Sequence, residues 1–161
     1  YNDGPAYTPC CRVSSGVTDD GGFTYLPALK LSRDPDSPEY SASSEYTCTA
    51  VRKLLAPVTG SVVLPADKAE WFSEPQYTKN GTLRCIRFGG VELTGEHLRE
   101  ALGLRSAAVA ITQEHDSFIF RTRGSGGGVG MSVYTADLMA RSGLSAQEIL
   151  QQFYPGTELI D

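Results

Sequence analysis

Residues 107–153 read AAVAITQEHDSFIFRTRGSGGGVGMSVYTADLMARSGLSAQEILQQF, and this stretch decides the predicted fold. Its first part holds two runs rich in β-branched and aromatic residues, Ala107–Thr112 and Ser117–Thr122. Such runs are typical of strands, and the polar segment between them predicts a hairpin turn at Gln113–Asp116. This half of the stretch therefore predicts a pair of neighbouring strands.

A glycine-rich loop and two helices are predicted after the hairpin. Helical patterns run from about Ser132 to Ser142 and from Ser145 to Phe153, with Gly143 between them. Ser145 and Glu148 have the spacing of a capping box, in which two unpaired donors at a helix start are satisfied reciprocally. Strand pairs next to terminal helices favour an α+β fold over alternating βαβ units.

Two further elements are predicted upstream of this stretch. Asn80-Gly81 precedes the run Leu83–Phe88 and predicts a tight hairpin, because both turn residues tolerate a positive φ. Thr94 is expected to cap a helix whose apolar positions follow helical spacing as far as Gly103.

The first half of the chain gives weaker signals. Tyr46–Thr49 is a candidate strand, and Thr49 is a candidate cap for a helix that Pro57 ends. Residues 1–45 are interpreted as long loops with short candidate strands at Ala6–Thr8 and Phe23–Leu31. The whole pattern predicts an α+β fold built from a hairpin-rich mixed sheet and short helices, two of them C-terminal.

Length and composition restrict the function. The 161 residues are 40% hydrophobic, which is enough to bury a core in a single domain spanning residues 1–161. The net charge of -5 argues against nucleic acid or an anionic membrane as the partner. We also expect no membrane span, because no apolar stretch approaches the roughly 20 residues required.

The four cysteines do not form a recognisable metal motif. Cys10 and Cys11 are neighbours, and no CxxC pair exists. Isolated cysteines commonly pack as small buried hydrophobes. We therefore expect no cofactor, with zinc held by Cys10 and Cys11 as the alternative.

The glycine-rich loop invites a phosphate-binding interpretation that its context does not support. It lacks the Gly-Lys-Ser/Thr of a P-loop, and it follows a hairpin strand instead of opening a βαβ unit. Glycines also let a bulky polymer approach the backbone, and a helix start at Ser132 offers N–H groups to a polar ligand.

Several segments of the chain follow one another in the order of a known family. In chain order they are Tyr1–Gly16, Tyr25–Pro27 (YLP), Asp36–Tyr40 (DSPEY), Phe88–Gly95 (FGGVELTG), Ala101–Ser106 (ALGLRS), Gly126–Tyr134 (GGGVGMSVY), Met139-Ala140, Gly143, Glu148–Leu150 (EIL) and Phe153–Thr157 (FYPGT). Together they resemble the stage II sporulation protein D (SpoIID/LytB) family over nearly the whole chain. The resemblance identifies residues 1–161 as the C-terminal part of a larger domain of that kind.

The resemblance implies action on bacterial peptidoglycan during engulfment of the forespore, in an extracytoplasmic, cell-wall space. Members of the family are lytic transglycosylases that cleave denuded glycan between N-acetylmuramic acid and N-acetylglucosamine, with a glutamate as general acid and base. That glutamate precedes an alanine-rich helix in an N-terminal segment, and we expect this chain to begin after it. Other sporulation cell-wall proteins are further candidate partners.

No acidic residue here replaces that glutamate by its sequence context. Glu92, Glu96 and Glu100 are interpreted as a solvated helix face, and Asp34 and Asp36 stand in a proline-rich loop. None of them has a context that predicts burial.

Two departures from the family pattern concern the signature itself. The family's histidine in G-H-G-V-G-M-S-Q corresponds to Gly127, and its glutamine to Val133. The histidine with which some members hold zinc aligns with Pro9, which leaves only the thiolates of Cys10 and Cys11.

We therefore predict an α+β part of a SpoIID-like domain that borders a glycan-binding cleft and has no catalytic residue of its own. A noncatalytic cell-wall-binding or accessory module is the alternative. The residues expected to border the cleft are Ser14, Ser15, Arg105, Gly128, Met131 and Ser132.

Overall fold

The computed structural model describes residues 4–159, so the start of the family-like stretch Tyr1–Gly16 lies outside the described residues. Its contacts divide into two compact units. The middle unit is Ser41–Arg123, and the terminal unit combines residues 4–40 with residues 124–159. Whether the chain is a single domain stays a prediction.

The middle unit contains two antiparallel sheets of three strands each. One has the order β2-β7-β6 and the other the order β3-β4-β5. The elements of this unit are β2 (Ser41–Thr47), α1 (Cys48–Thr59), a 3-10 helix (Lys68–Glu70), β3 (Phe72–Tyr77), β4 (Leu83–Phe88), β5 (Val91–Thr94), α2 (Gly95–Ala101), β6 (Val109–Glu114) and β7 (Ser117–Arg123).

An aromatic cluster forms the core of the middle unit. Phe72 packs on Phe88 and on Phe118 with ring centroids 5.0 and 5.1 Å apart. Phe118 and Phe120 occupy alternate positions of β7, and both are at most 1% exposed. Because side chains alternate across a strand, the positions between them point to the opposite face of the sheet. That face carries Arg121 and Arg123.

The terminal unit is built from loops, two helices and a short strand pair. Its elements are β1 (Cys10–Cys11), a 3-10 helix (Asp34–Asp36), β8 (Met131–Ser132), α3 (Val133–Arg141) and α4 (Ala146–Phe153). β1 and β8 pair in parallel. The core of the unit joins Tyr25, Leu26 and Leu31 of the loops to Ile149, Phe153 and Tyr154. Among residues 4–159, no helix is both long enough and apolar enough to cross a membrane.

The α+β prediction is confirmed, and so are the elements that have local signals. β6 and β7 form the predicted hairpin, whereas residues 78–82 join β3 and β4, a longer connection than the tight turn predicted at Asn80-Gly81. Gly81 has φ +83°, and the φ of Asn80 lies outside the positive region. Thr94 caps α2, and the capping box of Ser145 and Glu148 is present at α4. Both three-stranded sheets are purely antiparallel, whereas a mixed sheet was predicted.

Other predictions of secondary structure were wrong. The first long strand is Ser41–Thr47, because its pairing along the full length of β7 supplies hydrogen bonds that the small polar residues of this stretch do not signal. Thr47, two residues before the predicted cap, accepts the bond from Ala50 N and starts α1. Pro57 lies inside that helix, which ends at Thr59. A missing N–H so near the helix end removes only one backbone hydrogen bond.

The candidate strands of the first 45 residues are also absent from the described structure. Ala6–Thr8 is irregular, and within Phe23–Leu31 only Lys30 forms an isolated bridge, to Val17. The backbone of Leu29 bonds instead to Thr18 through N–H and C=O. The backbone N–H and C=O groups of Leu29 are thus paired within the loops. Buried backbone groups need such partners when no neighbouring strand supplies them.

Candidate functional site

A buried carboxylate, Asp34, lies at the centre of the terminal unit. Its side chain is 0% exposed and accepts three hydrogen bonds. Ser14 N donates to Oδ2 over 2.7 Å, and the hydroxyl groups of Ser132 and Thr135 both donate to Oδ1, that of Ser132 over 2.9 Å. Buried charges require such partners, because an unpaired carboxylate away from water is costly. Asp34 thereby joins three segments that are distant in sequence.

This burial contradicts the expectation that no acidic residue is buried. The Asp-Pro-Asp sequence at residues 34–36 forms a 3-10 turn, and its two carboxylates have opposite environments. Asp36 is exposed and pairs with Arg33 at 2.7 Å. Glu92, Glu96 and Glu100 are exposed as expected, and Glu96 bonds to Arg99.

Ser14 and Ser15 begin a tight turn that is joined to Asp34 by the hydrogen bond from Ser14 N. Ser14 is 0% exposed, and its hydroxyl accepts a hydrogen bond from Gly16 N at 3.1 Å. Ser15 is half-buried, and its carbonyl accepts a bond from the Tyr40 hydroxyl at 3.0 Å. Ser14 is therefore fully buried in this turn, whereas Ser15 is partly exposed to solvent.

The glycine-rich loop is tied along its length to the first residues of the terminal unit. Ser125 exchanges backbone hydrogen bonds with Val13 at 2.7 and 3.2 Å, and Asp19 N donates to the carbonyl of Gly128 at 2.8 Å. Met131 N donates to the carbonyl of Pro9 at 3.1 Å. The loop is thus hydrogen-bonded at both ends and in the middle.

Three glycines of the loop are required by the protein's own packing. A Cβ at Gly124 would lie 2.7 Å from the carbonyl oxygen of Val13, and one at Gly126 would lie 2.9 Å from Cβ of Cys11. One at Gly130 would lie 2.0 Å from the carbonyl oxygen of Pro9. All three have positive φ, which glycine adopts at the least cost. These glycines therefore allow the backbone of residues 9–13 to approach the loop closely.

Gly127 differs from its neighbours. It is exposed, a Cβ there would meet nothing within 4 Å, and its φ lies outside the positive region. Gly128, which we predicted to border the cleft, is half-buried with φ +74°. A side chain at Gly128 would be strained by its backbone, whereas Gly127 has open space around it.

Two exposed aromatic rings lie near this loop. Phe23 and Tyr7 are 38% and 62% exposed, and their ring centroids are 5.6 Å apart. A Cβ at Gly21 would lie 2.8 Å from Cγ1 of Val129 and 3.5 Å from the ring of Phe23, so the ring and the loop flank the same turn. The Tyr25 hydroxyl donates to the carbonyl of Tyr7 at 2.7 Å and holds that segment in place. We name Tyr7, Phe23 and Gly127 the loop–aromatic surface.

The loop–aromatic surface was not found from the sequence. The only local signal for Tyr7 and Phe23 is an aromatic side chain in a segment without strand or helix periodicity. Their exposure follows from loop geometry, which periodicity does not describe.

The other predicted site residues have separate environments. Ser132 is 0% exposed, and its hydroxyl caps α3 by accepting from Thr135 N while donating to Asp34. Met131 is half-buried and packs on the core of the terminal unit. Arg105 is exposed and lies in the middle unit, after α2. The structure thus brings Ser14 and Ser132 together at Asp34.

The predicted metal ligands, Cys10 and Cys11, lie in β1 with opposite exposures. Cys10 is exposed, and Cys11 is 2% exposed. Burial, reinforced by the nearby Asp34 carboxylate, raises the pKa of the Cys11 thiol to about 12. Neighbouring side chains of a strand point to opposite faces, so Cys10 and Cys11 are directed away from each other. Within residues 4–159, no group of three or more His, Cys, Asp or Glu residues could hold a metal.

The two departures from the family pattern lie at exposed positions. Gly127 is exposed in the loop, and Val133, the first residue of α3, is 46% exposed. Both departures therefore lie at the surface of the terminal unit.

Comparison with known proteins gives two close matches to one kind of protein. The chain is 30% identical to stage II sporulation protein D of Bacillus subtilis (strain 168) over 166 aligned positions, which cover 99% of this chain and 46% of that protein. It is 28% identical to stage II sporulation protein D of Bacillus amyloliquefaciens over the same coverage. The chain spans about half the length of these curated relatives. No protein-family model matches it.

Proposed function

Because the chain belongs to the stage II sporulation protein D family, we propose that it is part of a sporulation protein that acts on the glycan strands of bacterial peptidoglycan. Within that function, residues 4–159 supply glycan binding. By the family resemblance, the intact domain is proposed to be a lytic transglycosylase on denuded strands, and the chain is proposed to act in an extracytoplasmic, cell-wall space.

One observation carries the binding proposal: two exposed rings and an open glycine position lie on one hydrogen-bonded framework. Pyranose rings present flat C–H faces, and the rings of Tyr7 and Phe23 offer apolar area for such faces. Gly127, in the glycine-rich loop of the same unit, leaves open space in which a bulky polymer can approach the backbone. Hydrogen bonds at Val13, Asp19 and Pro9 fix the loop beforehand, which lowers the entropic cost of binding.

Asp34, Glu92, Glu96 and Glu100 are not placed as a general acid would be. A general acid must reach the glycosidic oxygen within hydrogen-bond distance. Asp34 is fully enclosed, with Oδ1 and Oδ2 both accepting bonds from protein groups. Glu92, Glu96 and Glu100 are solvated. Asp34 is therefore a positioning residue for the loop and for α3.

A noncatalytic cell-wall-binding module is the second candidate. It is favoured by Gly127 and Val133, which stand where the family signature has histidine and glutamine. The two candidates share the loop–aromatic surface and differ in whether cleavage accompanies binding. A glutamate before an alanine-rich helix in the full open reading frame favours the enzyme.

The test measures binding of amidase-treated glycan strands to the 161-residue chain. Phe23→Ala should weaken binding about tenfold, since an aromatic contact contributes roughly 0.5–1.5 kcal/mol beyond its buried area. Tyr7→Ala should act in the same direction. Val63→Ala, at a position 93% exposed in the middle unit, is the control and should bind like the wild type. Thermal unfolding checks that each variant is folded.

Two outcomes overturn the proposal. The first is that the wild-type chain does not retain the strands. The second is that Tyr7→Ala and Phe23→Ala bind as tightly as Val63→Ala.

A further inference from the structure

A groove on the middle unit carries two arginines. Its volume is about 670 Å³, within the range of small-ligand sites. Arg121 and Arg123 line it together with Tyr77 and with Ser41 and Ser43. The groove lies outside the loop–aromatic surface, which belongs to the terminal unit.

Strand register explains why both arginine side chains are exposed, although Nη1 of Arg121 donates to the hydroxyl of Thr112 at 3.5 Å. Arg121 and Arg123 are two positions apart on β7 and so share a face of the sheet. On β2, Ser43 stands opposite Arg121 and Ser41 stands opposite Arg123, and on β6 Ala110 stands opposite Arg121. These neighbours are all small. Their side chains are too short to cover the arginines.

Arg121 and Arg123 are among the basic residues that form no ion pair within residues 4–159. Ion pairs engage Arg12, Arg33, Lys68, Arg87, Arg99 and Arg141. No carboxylate in residues 4–159 comes within 4.0 Å of the guanidinium of Arg121 or Arg123. In a protein of net charge -5, a paired cationic site without internal carboxylates is complementary to an anionic ligand.

Tyr77 supplies the apolar wall of the groove. Its side chain is 44% exposed, and its hydroxyl donates to the carbonyl of Val109 at 3.2 Å, which fixes the ring beside β6. Burial raises the pKa of Tyr77, so the phenol stays neutral near an anion. An aromatic wall beside guanidinium groups suits a ligand with both an apolar ring face and a carboxylate.

We propose that this groove binds a carboxylate-bearing saccharide, namely a glycan segment whose N-acetylmuramic acid has a free lactyl carboxylate. The proposal rests on the proposed function and deepens it. Removal of the stem peptide by an amidase breaks the amide bond at the lactyl group and leaves that carboxylate free. Arg121 and Arg123 would pair with it, and Tyr77 would pack on the sugar ring. The groove would then distinguish denuded strands from peptide-bearing ones.

The experiment measures the affinity of the 161-residue chain for matched oligosaccharides. The ligands are a denuded tetrasaccharide with free lactyl groups, the same tetrasaccharide with stem peptides attached, and neutral chitotetraose. A polyglycerol phosphate oligomer tests phosphate as the alternative anion. The variant Arg121→Gln/Arg123→Gln is compared with Arg84→Gln/Arg52→Gln, which removes the same charge at exposed positions outside the groove.

We expect the Arg121→Gln/Arg123→Gln variant to bind the denuded tetrasaccharide at least tenfold more weakly, since charge-assisted bonds are lost. Its affinity for chitotetraose should not change, and the Arg84→Gln/Arg52→Gln variant should bind like the wild type. Thermal unfolding must show both variants folded, and the single Arg121→Gln and Arg123→Gln variants repeat the test if the double variant is not.

Three results overturn the inference and leave the proposed function standing. They are equal wild-type affinity for the denuded and neutral tetrasaccharides, equal loss in both double variants, and tighter binding of the phosphate oligomer. Failure of every saccharide to bind the wild-type chain overturns the proposed function as well.

Discussion

The hydroxyl of Ser132 donates a hydrogen bond to the carboxylate of Asp34 over 2.9 Å, although 98 residues separate the two in sequence. Both side chains are 0% exposed. Ser132 caps α3 and Asp34 begins a 3-10 turn, so this bond joins the segment after the glycine-rich loop to the first loops of the terminal unit. The position of the loop therefore depends on a buried charge.

Replacing Asp34 should destabilise the protein. Asp34→Ala leaves Ser14 N and the hydroxyl groups of Ser132 and Thr135 without their acceptor, and we expect a loss of about 3 kcal/mol in the free energy of unfolding. Asp36→Ala is the matched control, because Asp36 is exposed and its pairing with Arg33 is a surface ion pair. It should cost less than about 0.5 kcal/mol. Denaturant unfolding measures both, and equal losses would contradict the assigned role of Asp34.

Substitutions in the loop should differ sharply between neighbouring glycines. Gly130→Ala places Cβ 2.0 Å from the carbonyl oxygen of Pro9 at a φ of +74°, so the strand pair β1–β8 must shift. We expect a loss of at least about 2 kcal/mol in the free energy of unfolding. Gly127→Ala meets no atom and should stay within about 0.5 kcal/mol of the wild type. A large loss at Gly127 would show that its environment is closed.

The neighbouring thiols should react at very different rates. At pH 8 iodoacetamide should modify Cys10, which is exposed, and spare Cys11, which is 2% exposed and has a pKa raised to about 12. Peptide mapping by mass spectrometry measures the two rates, and equal labelling would contradict the burial of Cys11.

The same thiol should make stability depend on alkaline pH. Its folded pKa of about 12 lies above the ordinary value of 9.0, so the thiol binds its proton more tightly in the folded state. Its contribution to stability is then complete below about pH 8.5 and is lost as the pH rises toward 12. Cys11→Ala should flatten this part of the stability profile, and an unchanged slope would contradict the prediction.

Zinc content tests the proposed absence of a cofactor. Purified protein should carry much less than one zinc per chain, because Cys10 and Cys11 point to opposite faces of β1. Elemental analysis measures the content. Stoichiometric zinc that disappears in a Cys10→Ser/Cys11→Ser variant would overturn the prediction.

Elements with local chemical signals could be predicted from the sequence. Gly81 adopts the positive φ that its turn requires, and Ser145 caps α4 together with Glu148, which is one turn away. Thr94 caps α2 through its own side chain, which accepts from His97 N. Each signal lies within a few residues, where propensity and spacing describe the energetics.

The arrangement of the candidate site depends on distant partners and could not be predicted. Nothing near Asp34 indicates that Thr135, 101 residues later, donates to it. In the sequence, Gly130 cannot be distinguished from the other glycines of its loop. Its special role follows from the carbonyl of Pro9, which lies beside it in the fold. Ser14 and Ser132, which the sequence predicted to border a cleft, are both fully buried, and Tyr7 and Phe23 stand in loops where no periodic pattern predicts exposure.

The most direct test of glycan binding is an amide NMR titration of the 161-residue chain with the denuded tetrasaccharide. The loop–aromatic surface should respond, with concentration-dependent shifts at the amides of Gly127, Tyr7 and Phe23 and with smaller shifts at buried Ser132. Shifts at the arginine groove are compatible with this result. Saturating ligand that leaves the amides of Gly127, Tyr7 and Phe23 unmoved would contradict the account.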